Sequence, residues 1–418
     1  MSGNKKAEST PKPFKVHIDQ SRLDHLQQKL SLTDFPGELE DAGNKCGPRL
    51  ADIKRLTSYW KDSFDWRGQE EKMNKLPMFT IDIEVSDGFG VVNVHFVHQR
   101  AAVENAVPLL FVHGWPGNFL EVSKMLPSLK TGNEDGNPAF HVVAPSLVNF
   151  GFSSRVNKEK FGIEKHAEVY NKLMIALGYD QYVAQGGDWG SLILRGLGLN
   201  HSAHVKALHT NMAVANFPSP FKTPVRFVTS LAKHALSGFL PTYTPAESAM
   251  LARITDWKDG SGKGYFAQMS TKPQTIGYSL ADSPVGLLAW IYEKLVLWTD
   301  EYPWTDDEIL TWVSIYYFST AGPDAASFLY YESQNEKVDF FAWVDIPIGL
   351  AYLPKEVCNL PLAWAQGLGR IVHVTEADKG GHFAAYERPD VIVGDLQAMM
   401  RKGGPAFGVV ESMSGYAR

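Results

Sequence analysis

The 418-residue chain carries 40 Lys and Arg against 46 Asp and Glu, a net charge of −6, and 44% of its residues are apolar. That balance gives no reason to expect nucleic acid or an anionic membrane as a partner, and the length allows one large α/β unit with an insertion. Two distant cysteines, Cys46 and Cys358, form neither a disulfide framework nor a metal-ligand spacing and read as spare buried thiols.

Residues Met1 to Lys12 are polar and lack an apolar signal core. No run approaches the ~18 apolar residues that span a bilayer, so the expectation is a cytoplasmic protein. Phe14 to Ile18 reads as extended. Leu23, Leu26 and Leu30 mark one helical face, with Ser21 as candidate cap, and Ile53, Leu56 and Trp60 mark a second helix. Phe79, Ile81, Ile83 and Val85 alternate with polar residues, Asp87-Gly88 turns, and Val92, Val94 and Phe96 return, which makes an antiparallel start to a sheet.

The pattern then changes to apolar strands alternating with helices. Pro108 to Val112 is a strand, Val122 to Leu129 a helix, His141 to Pro145 a strand, and His166 to Leu177 a helix. Such alternation implies a mostly parallel sheet with helices on both faces. From about Phe217 to Glu332 the rhythm breaks into aromatic-rich helical segments, containing Trp290, Trp298, Trp304 and Trp312. It resumes with strands at Ile346 to Ala351 and Ile371 to Val374, and a last helix at Asp390 to Met400. The divisions expected are an N-terminal extension (1–75), two parts of an α/β core (76–216 and 333–418) and a helical lid (217–332).

Gln181 to Ser191 is the stretch of most chemical interest. A short apolar run leads into Gly186-Gly187-Asp188-Trp189-Gly190, and an apolar helix follows. A sharp strand-to-helix turn of this form needs small residues on both sides of its apex, and Gly186 and Gly190 supply them. The apex is an acid, Asp188, at a helix N-terminus whose dipole and free N–H groups favour negative charge. A carboxylate there is a usable nucleophile. Of 13 histidines, His382, in Gly380-Gly381-His382-Phe383, has the chain order of nucleophile, acid, histidine. Glu356 follows the penultimate strand and is the favoured orienting acid, while Glu376 and Asp378 read more simply as solvated loop acids. His113-Gly114-Trp115-Pro116 follows a strand, where such loops lend a backbone N–H to an oxyanion hole. With the residue after the nucleophile, this nominates the N–H groups of Trp115 and Trp189. Gly260 to Gly264 lacks the strand and the Ser/Thr of a phosphate loop and reads as a flexible lid loop. His201 and His204 lack a third metal ligand and read as surface residues.

Together these motifs resemble an epoxide hydrolase of the α/β-hydrolase superfamily, of the microsomal and juvenile-hormone type in a soluble, fungal-like form. The resemblance covers nearly the whole chain, including the extension up to Trp60. It implies two lid tyrosines that hold the epoxide oxygen; by local match these are Tyr265 and Tyr330, with Tyr331 adjacent to the second. It also implies a substrate pocket bordered by His113, Pro116, Phe150 and Phe383, and a need for neither metal nor cofactor. After Pro145-Ser146-Leu147 the family continues with Pro-Gly and an aromatic, whereas this chain has Val148-Asn149-Phe150.

The chemistry accounts for the acid. Serine attack on an epoxide would leave a stable ether, whereas aspartate leaves an ester that water can hydrolyse. The expected partners are therefore a small-molecule epoxide, apolar and aryl or alkyl, and water, with a homodimer allowed. The rivals are a haloalkane or haloacid dehalogenase, which shares the aspartyl ester, and a non-catalytic ligand binder, which would need none of these groups.

Overall fold

The computed structural model describes residues 10–132, 136–221 and 224–417. Among them nine strands form one sheet: β1 (Lys12–Pro13), β2 (Met78–Val85), β3 (Gly90–Gln99), β4 (Val107–Val112), β5 (Phe140–Pro145), β6 (Tyr182–Gly186), β7 (Val205–Thr210), β8 (Val344–Tyr352) and β9 (Gly369–Glu376). Their order is β1-β2-β3-β5-β4-β6-β7-β8-β9, antiparallel from β1 to β5 and parallel from β5 onward. This is the α/β-hydrolase fold. Strands β4, β5 and β6 are buried along their whole lengths, as their mostly apolar runs (broken only by His141 and Gln185) lead one to expect of strands covered on both faces.

The β2–β3 hairpin turns at Asp87 and Gly88, both at positive φ. Register then decides which loops meet. Val112 stands beside Gly186, so the loop after β4 lies against the turn after β6. Tyr352 stands beside Glu376, which brings the loops after β8 and β9 together. Both meetings occur at the carboxyl ends of the parallel strands, where order reverses around β4 and open α/β sheets form their clefts.

Several local expectations need amending. Strand β7 was not anticipated, because its Lys206 and His209 interrupt the apolar run. Only Lys12–Pro13 pairs as strand at the N-terminus. Val16 instead exchanges two hydrogen bonds with the Asn74 side chain (2.8 and 2.9 Å), and Ile18 N–H donates to Glu70 (2.7 Å), so side chains replace the ladder. The helix Gln20–Ser31 starts after Asp19, which leaves Ser21 inside its first turn. The helix expected over 122–129 divides into a 3-10 turn, Phe119–Lys124, and a short helix, Leu126–Thr131, because Pro127 cannot continue the first. Cys46 is exposed, not buried. Gly260 to Gly264 follows the helix Pro245–Asp259, with a 3-10 turn at Ser261–Lys263.

Between β7 and β8 the chain forms seven α-helices among the described residues, from Pro224–Leu236 to Ser327–Ser333. Thr244 with Glu247 and Thr305 with Glu308 form capping boxes that start two of them. No described helix is long and apolar enough to cross a membrane.

Candidate active site

The turn after β6 is tight enough to exclude side chains at both flanking glycines. A Cβ at Gly190 would fall 2.0 Å from the carbonyl oxygen of Val112, and one at Gly186 would fall 2.7 Å from it. Asp188 sits at the apex with φ 50° and ψ −129°. Such a conformation costs a non-glycine residue on the order of 1–3 kcal/mol and persists where its surroundings enforce it. It aims the carboxylate away from the sheet, at the start of the helix Trp189–Asn200.

Two groups meet that carboxylate, Trp115 N–H and His382, and a free helix N–H lies next to it in the chain. The Trp115 N–H donates to Asp188 Oδ1 at 2.7 Å. The N–H of Trp189 opens the helix, where no preceding-turn carbonyl exists to receive it. His382 Nε2 lies 3.3 Å from Asp188 Oδ2 but is not aligned for a hydrogen bond. On its other side His382 Nδ1 is 2.8 Å from Glu356 Oε1, which also accepts the N–H groups of Val357 (2.7 Å) and Cys358 (3.3 Å). Burial opposes charge on His382, yet Glu356 and Asp188 together hold its pKa well above the ordinary imidazole value. Of the competing acids, Asp378 pairs with Arg388 at the surface and Glu376 ends β9.

The histidine loop is fixed by backbone contacts. His382 N–H donates to the carbonyl of Trp298 at 2.8 Å, and a Cβ at Gly381 would stand 2.4 Å from that same oxygen, so only glycine admits the approach. Glu387 accepts from Gly381, Phe383 and Asp300 N–H groups. The loop after β4 is held likewise: Tyr316 OH donates to Gly117 O at 2.7 Å, and Trp312 Nε1 to Pro116 O. The Trp115–Pro116 peptide is cis.

Above Asp188 the helices supply an aromatic wall. Tyr265 stacks on Trp115 with centroids 5.2 Å apart, and Tyr330 meets Trp115 and Trp189 edge-on at 5.8 and 4.7 Å. The Tyr330 hydroxyl is buried with no hydrogen-bond partner of good geometry, although Tyr265, Asp188 and the Trp189 indole are within electrostatic reach. Burial first, then Asp188, pushes the Tyr265 phenol well above its ordinary pKa; for Tyr330 burial and Tyr265 lead. Both are therefore neutral hydrogen-bond donors at physiological pH. Tyr331 is less buried and lines a separate outer cleft with Thr271 and Pro273.

A cavity of about 10 Å³ is lined by Trp115, Gly117, Glu121, Gln185, Asp188, Asn211, His382 and Phe383, among others. Of the other residues expected at a pocket, His113 and Phe150 serve as supports. His113 is buried and neutral, its pKa lowered to about 4 by burial; Nδ1 faces Gly114 O (2.9 Å) and Nε2 accepts from Leu147 N–H (3.1 Å). Phe150 packs edge-on against His113 and Tyr316. Asn149 adopts φ 72°, a left-handed conformation that asparagine tolerates next best to glycine. Val148 N–H donates to Tyr170 OH (3.0 Å), a bond proline could not make. Glu121, Gln185 and Asn211 were not singled out from sequence. Nothing local marks them, although Asn211 follows the unforeseen β7 and packs under Gly187 and His382.

A family model described as the epoxide hydrolase N terminus matches residues 11–122, and one described as the alpha/beta hydrolase fold matches 107–237. Epoxide hydrolase 1 of Sus scrofa is 33% identical over 93% of this chain and 88% of its own length. The solved structure of Aspergillus niger epoxide hydrolase is 32% identical with a TM-score of 0.80, covering 93% of this chain and 95% of that one. Juvenile hormone epoxide hydrolase from the silkworm Bombyx mori is 26% identical with a TM-score of 0.82, covering 94% of both chains.

Proposed function

Since the chain belongs to the epoxide hydrolase family, an enzyme family that acts on small epoxides with water, we propose that it opens an apolar epoxide through an ester on Asp188. The carrying observation is that one carboxylate faces a backbone N–H, a histidine backed by a buried acid, and two neutral phenols.

In the proposed cycle one oxygen of Asp188 attacks an epoxide carbon from behind, forming a C–O bond as the ring C–O bond breaks. Tyr265 and Tyr330 donate hydrogen bonds to the departing alkoxide and relay a proton to it. Esterification removes the negative charge of Asp188, and with it one of the two charges that hold a proton on His382. The imidazole then gives up its Nε2 proton, through solvent, to the tyrosinate left by the first step and becomes the base, its Nδ1–H still oriented by Glu356. Water attacks the Asp188 carbonyl carbon and gives a proton to His382, and the Trp115 and Trp189 N–H groups stabilise the oxyanion. Collapse expels the second alkoxide, His382 protonates it and then takes the proton left on the Asp188 acid, and a vicinal diol leaves with the carboxylate restored.

We also take 217–332 as the lid, and its aromatic wall as the reason for an apolar aryl or alkyl substrate. A single turnover with excess enzyme on an aryl epoxide in ¹⁸O-water tests the pathway. An unlabelled first diol with label in Asp188 is expected, and label passing directly into the diol would overturn it. Faster turnover of small hydrophilic epoxides would overturn the substrate class.

A further inference from the structure

Glu121 has no part in the cycle above, yet it lines the same small cavity as Asp188 and His382. It stands on the 3-10 turn Phe119–Lys124 that follows the β4 loop. Its carboxyl occupies the space that a side chain at position 117 would fill, for a Cβ built on Gly117 would lie 1.8 Å from Glu121 Oε1. Gly114 cedes its space in the same way: a Cβ there would lie 2.1 Å from Asp188 Oδ1. The loop thus omits two side chains, and each omission seats a carboxyl at the wall of one cavity.

We propose that Glu121 positions the hydrolytic water for attack on the ester. This rests on the ester pathway proposed above. The cavity's volume of about 10 Å³ is at the threshold for a single water, which needs ~10–15 Å³ and two or more polar partners. His382 Nε2 is buried without a partner, and once the ester has formed and its own proton has left it is free to take one water hydrogen. The carbonyl oxygen of the Glu121 carboxyl takes the other, and a water lone pair is left facing Asp188 Cγ. In the step itself the water oxygen bonds to that carbon, its proton passes to His382, and the alkoxide carries away the electron pair of the broken ester bond. Glu121 exchanges no proton.

The charge state suits that task. Burial pushes the Glu121 carboxyl up to about 8, with His382 opposing and Asp188 reinforcing the shift. A neutral acid offers an acceptor oxygen without setting a second negative charge beside the oxyanion. The Tyr316 phenol, within electrostatic reach of Glu121, anchors the same loop through Gly117 O.

Rapid-quench mass spectrometry of the Asp188 adduct, with an aryl epoxide, separates the two half-reactions. Glu121→Leu is expected to form the ester at close to the wild-type rate and to hydrolyse it about 10- to 100-fold more slowly, the range expected for a misplaced reactant. Glu121→Gln keeps a carbonyl acceptor and should restore most of the hydrolysis rate. If Glu121→Leu does not fold, Gly117→Ala displaces the carboxyl and should give the same accumulation of ester. Equal ester decay in wild type and the Leu or Ala variant would overturn the proposal, as would a Gln variant no faster than Leu. Absence of any adduct in every form, wild type included, would instead overturn the ester pathway beneath it.

Discussion

Two clusters in this molecule pair histidine with an acid, and they have opposite characters. At the cavity are Asp188, His382 and Glu356. On the other side of β8, between β7, β9 and the helix Pro389–Met400, Asp395 receives His209 (3.0 Å), His373 (3.0 Å) and Thr375 Oγ1 (2.6 Å). Distance does not separate the two, for His382 lies 2.8 Å from Glu356 and 3.3 Å from Asp188. Both Asp395 oxygens are occupied, its side chain is 5% exposed, and it lies within a regular helix. At the cavity Asp188 is 19% exposed and strained at φ 50°, while Glu356 Oε2 and His382 Nε2 have no hydrogen-bond partner. Proximity of acid and histidine is thus no mark of chemistry. Spare bonding capacity does not separate them either, since His209 Nδ1 is also buried without a partner; a partly exposed acid held at a strained apex is the mark, and Asp395 has the properties of a structural brace.

The comparison predicts opposite mutational outcomes. Asp188→Ala should lower turnover by at least about 10⁴-fold, as loss of a nucleophile does, while leaving the unfolding midpoint nearly unchanged; steady-state rates and denaturant titration would check both. Asp395→Asn should do the reverse, keeping the rate of the folded fraction and costing about 3 kcal/mol through loss of a buried, charge-assisted contact. A large rate loss in that variant without destabilisation would erase the distinction. The smallest effect is on acid resistance. Burial opposes ionisation of Asp395, but His209 and His373 outweigh it and hold its carboxyl well below the usual range. A depressed folded pKa adds stability above the ordinary value of ~3.9 that is lost as pH falls below it. Wild type should therefore lose stability more steeply than Asp395→Asn between pH ~4 and the acid limit; parallel curves would reject this.

How far the sequence discloses these clusters follows from the range of the forces involved. The turn at Asp188 is legible because Gly186 and Gly190 frame it in one five-residue pattern, even though the atom that keeps both bare, Val112 O, is distant in sequence. His382 and Glu356 are legible by their place after strands, since chain order and strand order are linked by topology. Tyr265 and Tyr330 came only through resemblance; among 16 tyrosines, spacing selects none. Glu121 and Asn211 escaped because their significance lies in contacts across 67 and 171 positions of chain, to Asp188 and His382 respectively. Strand β7 escaped because polar side chains at Lys206 and His209 mask its burial pattern.

The amide of His382 ends on the carbonyl of Trp298, at the close of the helix Pro284–Leu297 and not on the core. The proposed general base is thus indexed to the helical insertion, and the two have to be inherited as a unit. A chimera that imports a relative's insertion to change substrate range would need to bring the Gly380-Gly381 dipeptide, or an equally bare backbone, along with it. Imported alone, a new helix end would leave the imidazole facing Asp188 at a slightly wrong angle, and the chimera would bind its intended epoxide yet stall as the ester.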